Sequence, residues 1–303
     1  MTATPTLDEL IRINTQDMLE SFGLGATQRG RRLLEWACAW PARRFALTVL
    51  EYDRRVQVEG LQLAAIWALQ QFSVQVELIG RHHVPATGPV LFLSNHPGIA
   101  DTLALFATLP RADLYTVAAI RPFLISLPNM ARRLIFVPED NASQLGVVRT
   151  VAGRLREGAA ILTFPAGRIE PDPDLLPGAE AALESWSSSI DLFARLAPAT
   201  RLVPLLVAGV FSPRSLTNPL LRLRRRQDDK ERLAAMLQVI NPVRYPVHVT
   251  VTAGPPLAAE DVTSRGGRSA REAVIETMRG LMRQSRVTMP GSASALTDHP
   301  ATA

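Results

Sequence analysis

Residues 89–101, PVLFLSNHPGIAD, decide the predicted fold of this chain. Residues 89–94 form a short apolar run opened by a Gly-Pro pair, which is typical of a buried strand in a parallel or mixed sheet. The Pro-Gly pair that follows His96 favours a tight turn, and Ile99 to Leu109 carry apolar residues at helical spacing. The sequence therefore predicts a strand, a tight turn and a helix, with His96 just past the end of the strand.

The second polar group of this stretch is Asp101, which falls in the first turn of the predicted helix. Free backbone N–H groups and the helix dipole favour a carboxylate there, and from there it reaches back to the imidazole of His96. A carboxylate on one ring nitrogen fixes the tautomer and leaves the other nitrogen as a base. Taken alone, the pair leaves two interpretations open: a catalytic base with its orienting carboxylate, or a helix cap beside an ordinary loop histidine.

A second strand and loop of the same kind follow in residues 158–171. The apolar run Gly158 to Phe164 ends in the loop PAGRIEP. Gly167 allows close approach of the backbone to a ligand, and Arg168 offers a planar guanidinium suited to phosphate or carboxylate. The alternative is an ordinary turn at a strand end with a solvated arginine.

These two loops, in this order, resemble the glycerolipid acyltransferase superfamily, which includes lysophosphatidic acid and glycerol-3-phosphate acyltransferases. The resemblance covers about Val76 to Leu257. Its first block is residues 95–101, its third block is residues 164–168, and its fourth is the apolar run Leu202 to Val207 around a Val-Pro pair.

The resemblance implies transfer of a fatty acyl group from a thioester to the hydroxyl of a glycerolipid precursor such as 1-acyl-glycerol-3-phosphate. Acyl-CoA or acyl carrier protein is the implied co-substrate, with no further cofactor and no metal. By this analogy His96 is the general base and Asp101 orients and charges its ring. The residues that the resemblance assigns to substrate binding are Asn95, Pro97, Gly98, Phe164, Pro165, Gly167, Arg168, Val203 and Pro204.

The composition is consistent with a mechanism that needs no covalent enzyme intermediate. The chain lacks a Gly-x-Ser-x-Gly nucleophile elbow, and its one cysteine, Cys38, lies in an apolar, helix-like run. Cys38 is most simply a small core or interface residue.

The chain also departs from the family pattern. Ala166 stands where the third block usually has a glutamate, and Glu170 is a substitute only at a different offset. The second block is expected near residues 134–140, where acidic residues replace a basic one, although Arg132 and Arg133 lie just upstream. These departures keep two alternatives open: a different acceptor, such as a lyso-aminolipid or a sugar, or a non-catalytic lipid-binding protein of the same fold.

The segment pattern predicts an α/β protein with a mixed, largely parallel sheet flanked by helices and preceded by an N-terminal helical module. We expect this module at residues 1–73, the acyltransferase domain at 74–283 and a disordered tail at 284–303. The predicted helices are Leu7 to Phe22, Arg29 to Arg55, Val58 to Phe72, Ile99 to Leu109, Ser143 to Glu157 and Ala179 to Leu196. The predicted strands are Val74 to Gly80, Val90 to Asn95, Leu114 to Ala119, Ile135 to Val137, Ile161 to Phe164, Leu202 to Val210 and Val247 to Ala253.

Charge and hydropathy favour a membrane surface as a partner over nucleic acid. The formal net charge is +5, and no recognisable nucleic-acid motif accompanies it. The most apolar helical stretch, Leu33 to Leu50, is interrupted by charged residues and a proline and is not expected to span a bilayer. It suits a bilayer surface, with tryptophans facing the lipid and arginines at the headgroups (Arg31, Arg32, Arg43 and Arg44), or equally a helix pair packed on the catalytic core.

The start of the chain lacks a signal-peptide pattern, and a single cysteine is typical of a reducing compartment. We therefore expect a cytoplasmic protein, peripheral or monotopic on the inner face of the cell membrane.

Overall fold

The computed structural model describes residues 7–138, 141–264 and 269–288. The chain begins with three helices, α1 (Leu7–Ser21), α2 (Arg31–Val58) and α3 (Leu61–Gln71). The strands of the described part are β1 (Val74–Ile79), β2 (Val90–Ser94), β3 (Leu114–Ala119), β4 (Leu134–Val137), β5 (Ala160–Thr163), β6 (Arg201–Ala208), β7 (Val247–Ala253) and β8 (Leu257–Ala258).

The helices that follow the first strand alternate with the remaining strands. They are α4 (Ile99–Thr108), α5 (Pro122–Ile125), α6 (Pro128–Ala131), α7 (Asn141–Arg156), α8 (Ala179–Ala182), α9 (Ser189–Leu196), α10 (Pro213–Leu216), α11 (Gln227–Ile240), α12 (Ala259–Ser264) and α13 (Ala270–Thr288). Short 3₁₀ helices lie at Arg81–His83, Leu183–Ser185 and Pro219–Leu223.

The strands form one mixed sheet in the order β1-β7-β6-β2-β5-β3-β4, with β8 paired to β6. The five strands from β6 to β4 are parallel, β7 is antiparallel to β6, and β1 is parallel to β7. In register, Leu93 of β2 lies between Thr163 of β5 and Pro204 of β6. The predicted fold class is confirmed, and the segments that leave β2, β5 and β6 emerge side by side at one edge of the sheet.

The central strands are covered on both faces, which is why their sequences are continuous apolar runs. Val90 and Phe92 of β2 belong to one buried cluster, and Leu91 and Leu93 belong to the other. Helices α2, α3, α4 and α11 supply the first cluster, while α7, α9 and α13 supply the second.

The N-terminal helices are part of the core that covers the sheet. Tyr52 and Val56 of α2 and Ala64 of α3 are buried in the same cluster as Phe92. Asp53 of α2 accepts hydrogen bonds from the backbone N–H groups that begin α6. The N-terminal helices and the sheet therefore share one core across residue 73. A division into domains at that residue stays a prediction.

Two predicted boundaries are corrected. The helix expected from Ala179 to Leu196 is broken, because Trp186 is extended and buried between a 3₁₀ turn and α9. Residues 284–288, which the sequence assigns to a disordered tail, are helical instead, since α13 continues to Thr288 and the Ser285 hydroxyl donates to Asp174 at 2.9 Å. The rest of that tail lies outside the described residues. No helix of the described part is long and apolar enough to cross a membrane.

Candidate active site

His96 and Asp101 lie at the carboxyl end of β2, as the sequence predicts. The Nδ1 atom of His96 is 2.7 Å from Oδ2 of Asp101. The same oxygen accepts the Gly98 N–H at 2.9 Å, and Oδ1 accepts the Thr102 hydroxyl at 2.9 Å. Because a carboxylate only accepts, the Nδ1 atom carries the proton and Nε2 is left as the basic nitrogen.

The side chains of His96 and Asp101 differ in their exposure to solvent. The Asp101 side chain is 0% exposed, whereas that of His96 is 27% exposed. The carboxylate is therefore shielded from water by protein, while the imidazole is open to a substrate.

The loop after β5 lies beside His96 because β2 and β5 are adjacent parallel strands. The ring of Phe164 stacks on the imidazole, with centroids 4.4 Å apart. Gly167 has a φ of +64°, a left-handed conformation that favours glycine. Gly167 and Arg168 are exposed, and the charge of Arg168 acts on Glu170 of the same loop.

Glu170 forms the closest contact between the two loops, a role that the sequence did not assign. Its Oε2 accepts the His96 N–H at 3.0 Å, and its own N–H donates to the His96 carbonyl at 2.8 Å. Its Oε1 accepts the indole N–H of Trp186 at 2.9 Å. Glu170, four positions after Ala166, thus fixes the main chain of the loop that carries His96.

Asp172 continues this arrangement towards β6. Its carboxylate accepts the N–H groups of Gly209 and Val210 at 3.1 and 2.7 Å. The loop after β5 therefore joins the loops that follow both of the neighbouring strands.

The other residues predicted to bind substrate are buried in this structure. Pro97, Gly98 and Pro165 belong to the two loops beside His96. Asn95 is buried, and its amide is bonded to both the N–H and the carbonyl of Val207 at 2.8 Å. Its hydrogen-bonding groups are used within the protein, so we place Asn95 in the support of the site rather than on its surface.

The fourth block lies inside the sheet. Val203 is fully buried opposite Phe92, and Pro204 is buried opposite Leu93, with its carbonyl accepting the Gly254 N–H at 2.9 Å. Both side chains support β2 from the neighbouring strand and do not face a substrate in this arrangement.

The arginines upstream of the second block are not brought to the site. Arg132 and Arg133 precede β4, and the amino ends of the parallel strands lie at the edge opposite His96. Arg133 donates there to the Ala112 carbonyl at 2.8 Å. Arg168 is the one cationic side chain among the residues predicted to bind substrate, and it lies in the loop that contacts His96 through Glu170.

The electrostatics of the site follow from buried carboxylates around an imidazole. Burial lowers the pKa of His96, but the charge and hydrogen bond of Asp101 together with the charge of Glu170 raise it above its usual value of 6.5. Burial raises the pKa of Glu170, in opposition to its hydrogen bonds and to the charges of His96 and Arg168. The neutral, basic form of His96 therefore grows only as the pH rises through a value above 6.5.

In the described part of the chain, no group of three or more His, Cys, Asp or Glu side chains is arranged to hold a metal ion. The oriented imidazole of His96 can supply general base catalysis.

A family model described as Acyltransferase matches residues 75–204, the segment that contains both loops. This match supports the resemblance to acyltransferases that the sequence indicates for this segment.

Among solved structures, the chain is similar to the crystal structure of the 1-acyl-sn-glycerophosphate (LPA) acyltransferase PlsC from Thermotoga maritima. The identity is 13% and the TM-score 0.44, over 93% of this chain and 98% of that one. No curated protein matches the chain significantly.

Proposed function

We propose that the protein transfers a fatty acyl group from an acyl thioester, on CoA or acyl carrier protein, to the hydroxyl of a glycerolipid precursor such as 1-acyl-glycerol-3-phosphate. The observation that carries this proposal is the 2.7 Å pairing of the His96 Nδ1 atom with the buried Asp101 carboxylate, which leaves Nε2 as the basic nitrogen. Phospholipid biosynthesis is the process that such a reaction serves.

The proposed reaction needs one base and no covalent enzyme intermediate. Nε2 of His96 takes the proton of the acceptor hydroxyl as its oxygen attacks the thioester carbonyl. The C–S bond then breaks, and the thiolate leaves with the proton returned by the imidazolium. Asp101 stabilises the imidazolium because its negative charge lies against Nδ1 throughout.

Arg168 is the residue that we propose for the phosphate of the acceptor. Its exposed guanidinium follows the turn at Gly167, and a guanidinium binds phosphate through paired N–H groups. Phe164, whose ring stacks on the imidazole, would then form an apolar wall next to the reacting carbonyl.

We further propose that the enzyme works at a membrane surface, at the inner face of the cell membrane, through α2. The exposed fractions of Leu33, Trp36 and Trp40 are 68%, 76% and 68%. Arg32 and Arg43 are exposed on the same helix, whereas Arg31 and Arg44 donate to groups of the protein itself. Tryptophans and arginines on one exposed helix fit the interface of an anionic bilayer.

The deciding experiment measures thiol release from palmitoyl-CoA and from an acyl carrier thioester, with the wild-type protein and with His96→Ala. The acceptors are glycerol-3-phosphate, lysophosphatidic acid, a lyso-aminolipid and a sugar. We expect release with lysophosphatidic acid that falls by about 10²- to 10⁴-fold in His96→Ala, the usual contribution of a general base.

His248→Ala is the matched control, because His248 is exposed on β7 and its ring is 3.8 Å from Glu77, outside the site. Full activity of His96→Ala would overturn the mechanism. Release that depends on His96 but occurs only with the lyso-aminolipid or the sugar would change the acceptor. Phospholipid binding without release in any combination would instead identify a lipid-binding protein.

A further inference from the structure

Glu170 contacts the main chain of the catalytic histidine, His96, rather than its imidazole ring. The reciprocal pair of hydrogen bonds, Glu170 Oε2 to the His96 N–H at 3.0 Å and Glu170 N–H to the His96 carbonyl at 2.8 Å, holds residue 96 from the β5 side. Asp101 holds the ring of the same residue from the side of α4. The base is thus fixed from two different elements.

Burial raises the pKa of Glu170, and its hydrogen bonds act in the opposite direction by favouring the charged form. Both carboxylate oxygens receive N–H donors, from His96 and from Trp186, and a carboxyl proton would have to displace one of these donors. The residue is only 2% exposed, so its charge is little screened by water. The charged groups that act on this part of the site are Asp101 and Glu170 on His96, and Arg168 on Glu170.

We propose that Glu170 is a positioning residue of the acyl transfer: its carboxylate fixes the main chain of His96 and supplies a second negative charge that stabilises the imidazolium formed during proton transfer. This proposal rests on the proposed function of His96 as a base. It also gives a role to a carboxylate that lies four positions away from the place where the family has its glutamate.

The test replaces the carboxylate by an amide of the same size, in Glu170→Gln. The amide oxygen accepts only one of the two N–H groups, while the amide nitrogen meets a donor, so one contact is lost together with the charge. We expect the pKa of His96, followed by NMR through its imidazole ring signals, to fall below the wild-type value. In turnover, we expect kcat to fall about tenfold or more, but less than in His96→Ala, with little change in KM.

Trp186→Phe is the matched control, since it removes the indole N–H and keeps the Glu170 charge. It is expected to leave the pKa of His96 close to that of the wild type. An effect of Trp186→Phe equal to that of Glu170→Gln would assign the loss to packing and overturn the proposal. An unchanged His96 pKa with unchanged kcat in Glu170→Gln would do the same.

Glu170→Asp keeps the test decisive if Glu170→Gln does not fold. The shorter side chain keeps the charge and weakens the main-chain contact, so we expect a His96 pKa near that of the wild type with a reduced kcat. A wild-type kcat in Glu170→Asp would contradict the positioning role. The NMR titration needs no turnover, so a His96 pKa that depends on Glu170 would stand even if none of the substrates reacted.

Discussion

At the scale of single residues, Asp101 caps the start of a helix and also orients the imidazole of His96. It is the third residue of α4, where its carboxylate returns to the Gly98 N–H and so begins the helix. The same oxygen lies 2.7 Å from Nδ1 of His96. The orientation of the base is therefore linked to the start of the helix that follows it, and neither can shift alone.

Asp101→Asn removes the charge while keeping the size of the side chain. We expect kcat to fall by about 10²- to 10⁴-fold, because the imidazolium loses its partner and the amide can favour the wrong tautomer. The pKa of His96 is raised by Asp101, so we also expect the acid limb of the kcat/KM profile to move to lower pH. The measurement is the pH dependence of thiol release.

Glu77→Gln serves as the control for this prediction, because Glu77 is an exposed carboxylate on the edge strand β1. It should leave both the rate and the pH limb unchanged. An Asp101→Asn variant whose acid limb coincides with that of the wild type would contradict the assignment of Asp101 as the partner of the imidazolium.

The residue scale also shows where sequence reasoning succeeded and where it stopped. His96 and Asp101 are five positions apart within one strand, turn and helix, so local geometry brings them together. Glu170 meets His96 across 74 positions, through the adjacency of β2 and β5. No local pattern states which strands are neighbours. The sequence therefore offers Glu170 only as a substitute for the family's glutamate and does not predict its contact with His96.

At the scale of elements, the positions of the predicted strands agree with the structure because buried parallel strands have continuous apolar sequences. The predicted strand Leu114 to Ala119 has the bounds of β3, and Val247 to Ala253 has those of β7. The prediction of one helix from Ala179 to Leu196 is wrong in the middle of that range. Trp186 leaves the helical path there, and its indole N–H donates a tertiary hydrogen bond to Glu170. Helix α13 was not predicted, although Ala270, Val274 and Met278 are buried at a spacing of four residues.

Asp53 gives an element-scale prediction, because it acts as a cap for a helix to which it does not belong. Its carboxylate accepts the Asn129 N–H at 3.0 Å and the Met130 N–H at 2.8 Å, at the start of α6. Asp53 is 5% exposed, so bulk water has little access to this contact. We expect Asp53→Ala to lower the free energy of unfolding by about 2 kcal/mol, measured as a shift of the urea midpoint.

Asp53→Asn is the matched variant, since its amide oxygen can still accept the Met130 N–H. It should lose clearly less stability than Asp53→Ala. Equal urea midpoints for the wild type and Asp53→Ala would show that the contact between α2 and α6 contributes nothing to stability.

At the scale of the whole molecule, α2 has two apolar sides with different surroundings. Ala42, Ala46 and Val49 are buried towards the protein, while Leu33, Trp36 and Trp40 are exposed. Leu33, Trp36 and Trp40 form the surface that we propose for membrane binding, and the net charge of +5 favours an anionic partner. The strand that ends beside His96, β2, belongs to the core on which α2 packs.

We expect the double variant Trp36→Asn, Trp40→Asn to bind anionic phospholipid vesicles at least about tenfold more weakly than the wild type, because burying one large apolar side chain contributes about 1.5 to 3 kcal/mol. Co-sedimentation measures the partitioning, and binding should weaken further with salt as the arginines are screened. Leu145→Asn is the control: Leu145 is 62% exposed on α7, which covers the other face of the sheet. Unchanged partitioning of the double variant, or an equal loss in Leu145→Asn, would contradict α2 as the membrane surface.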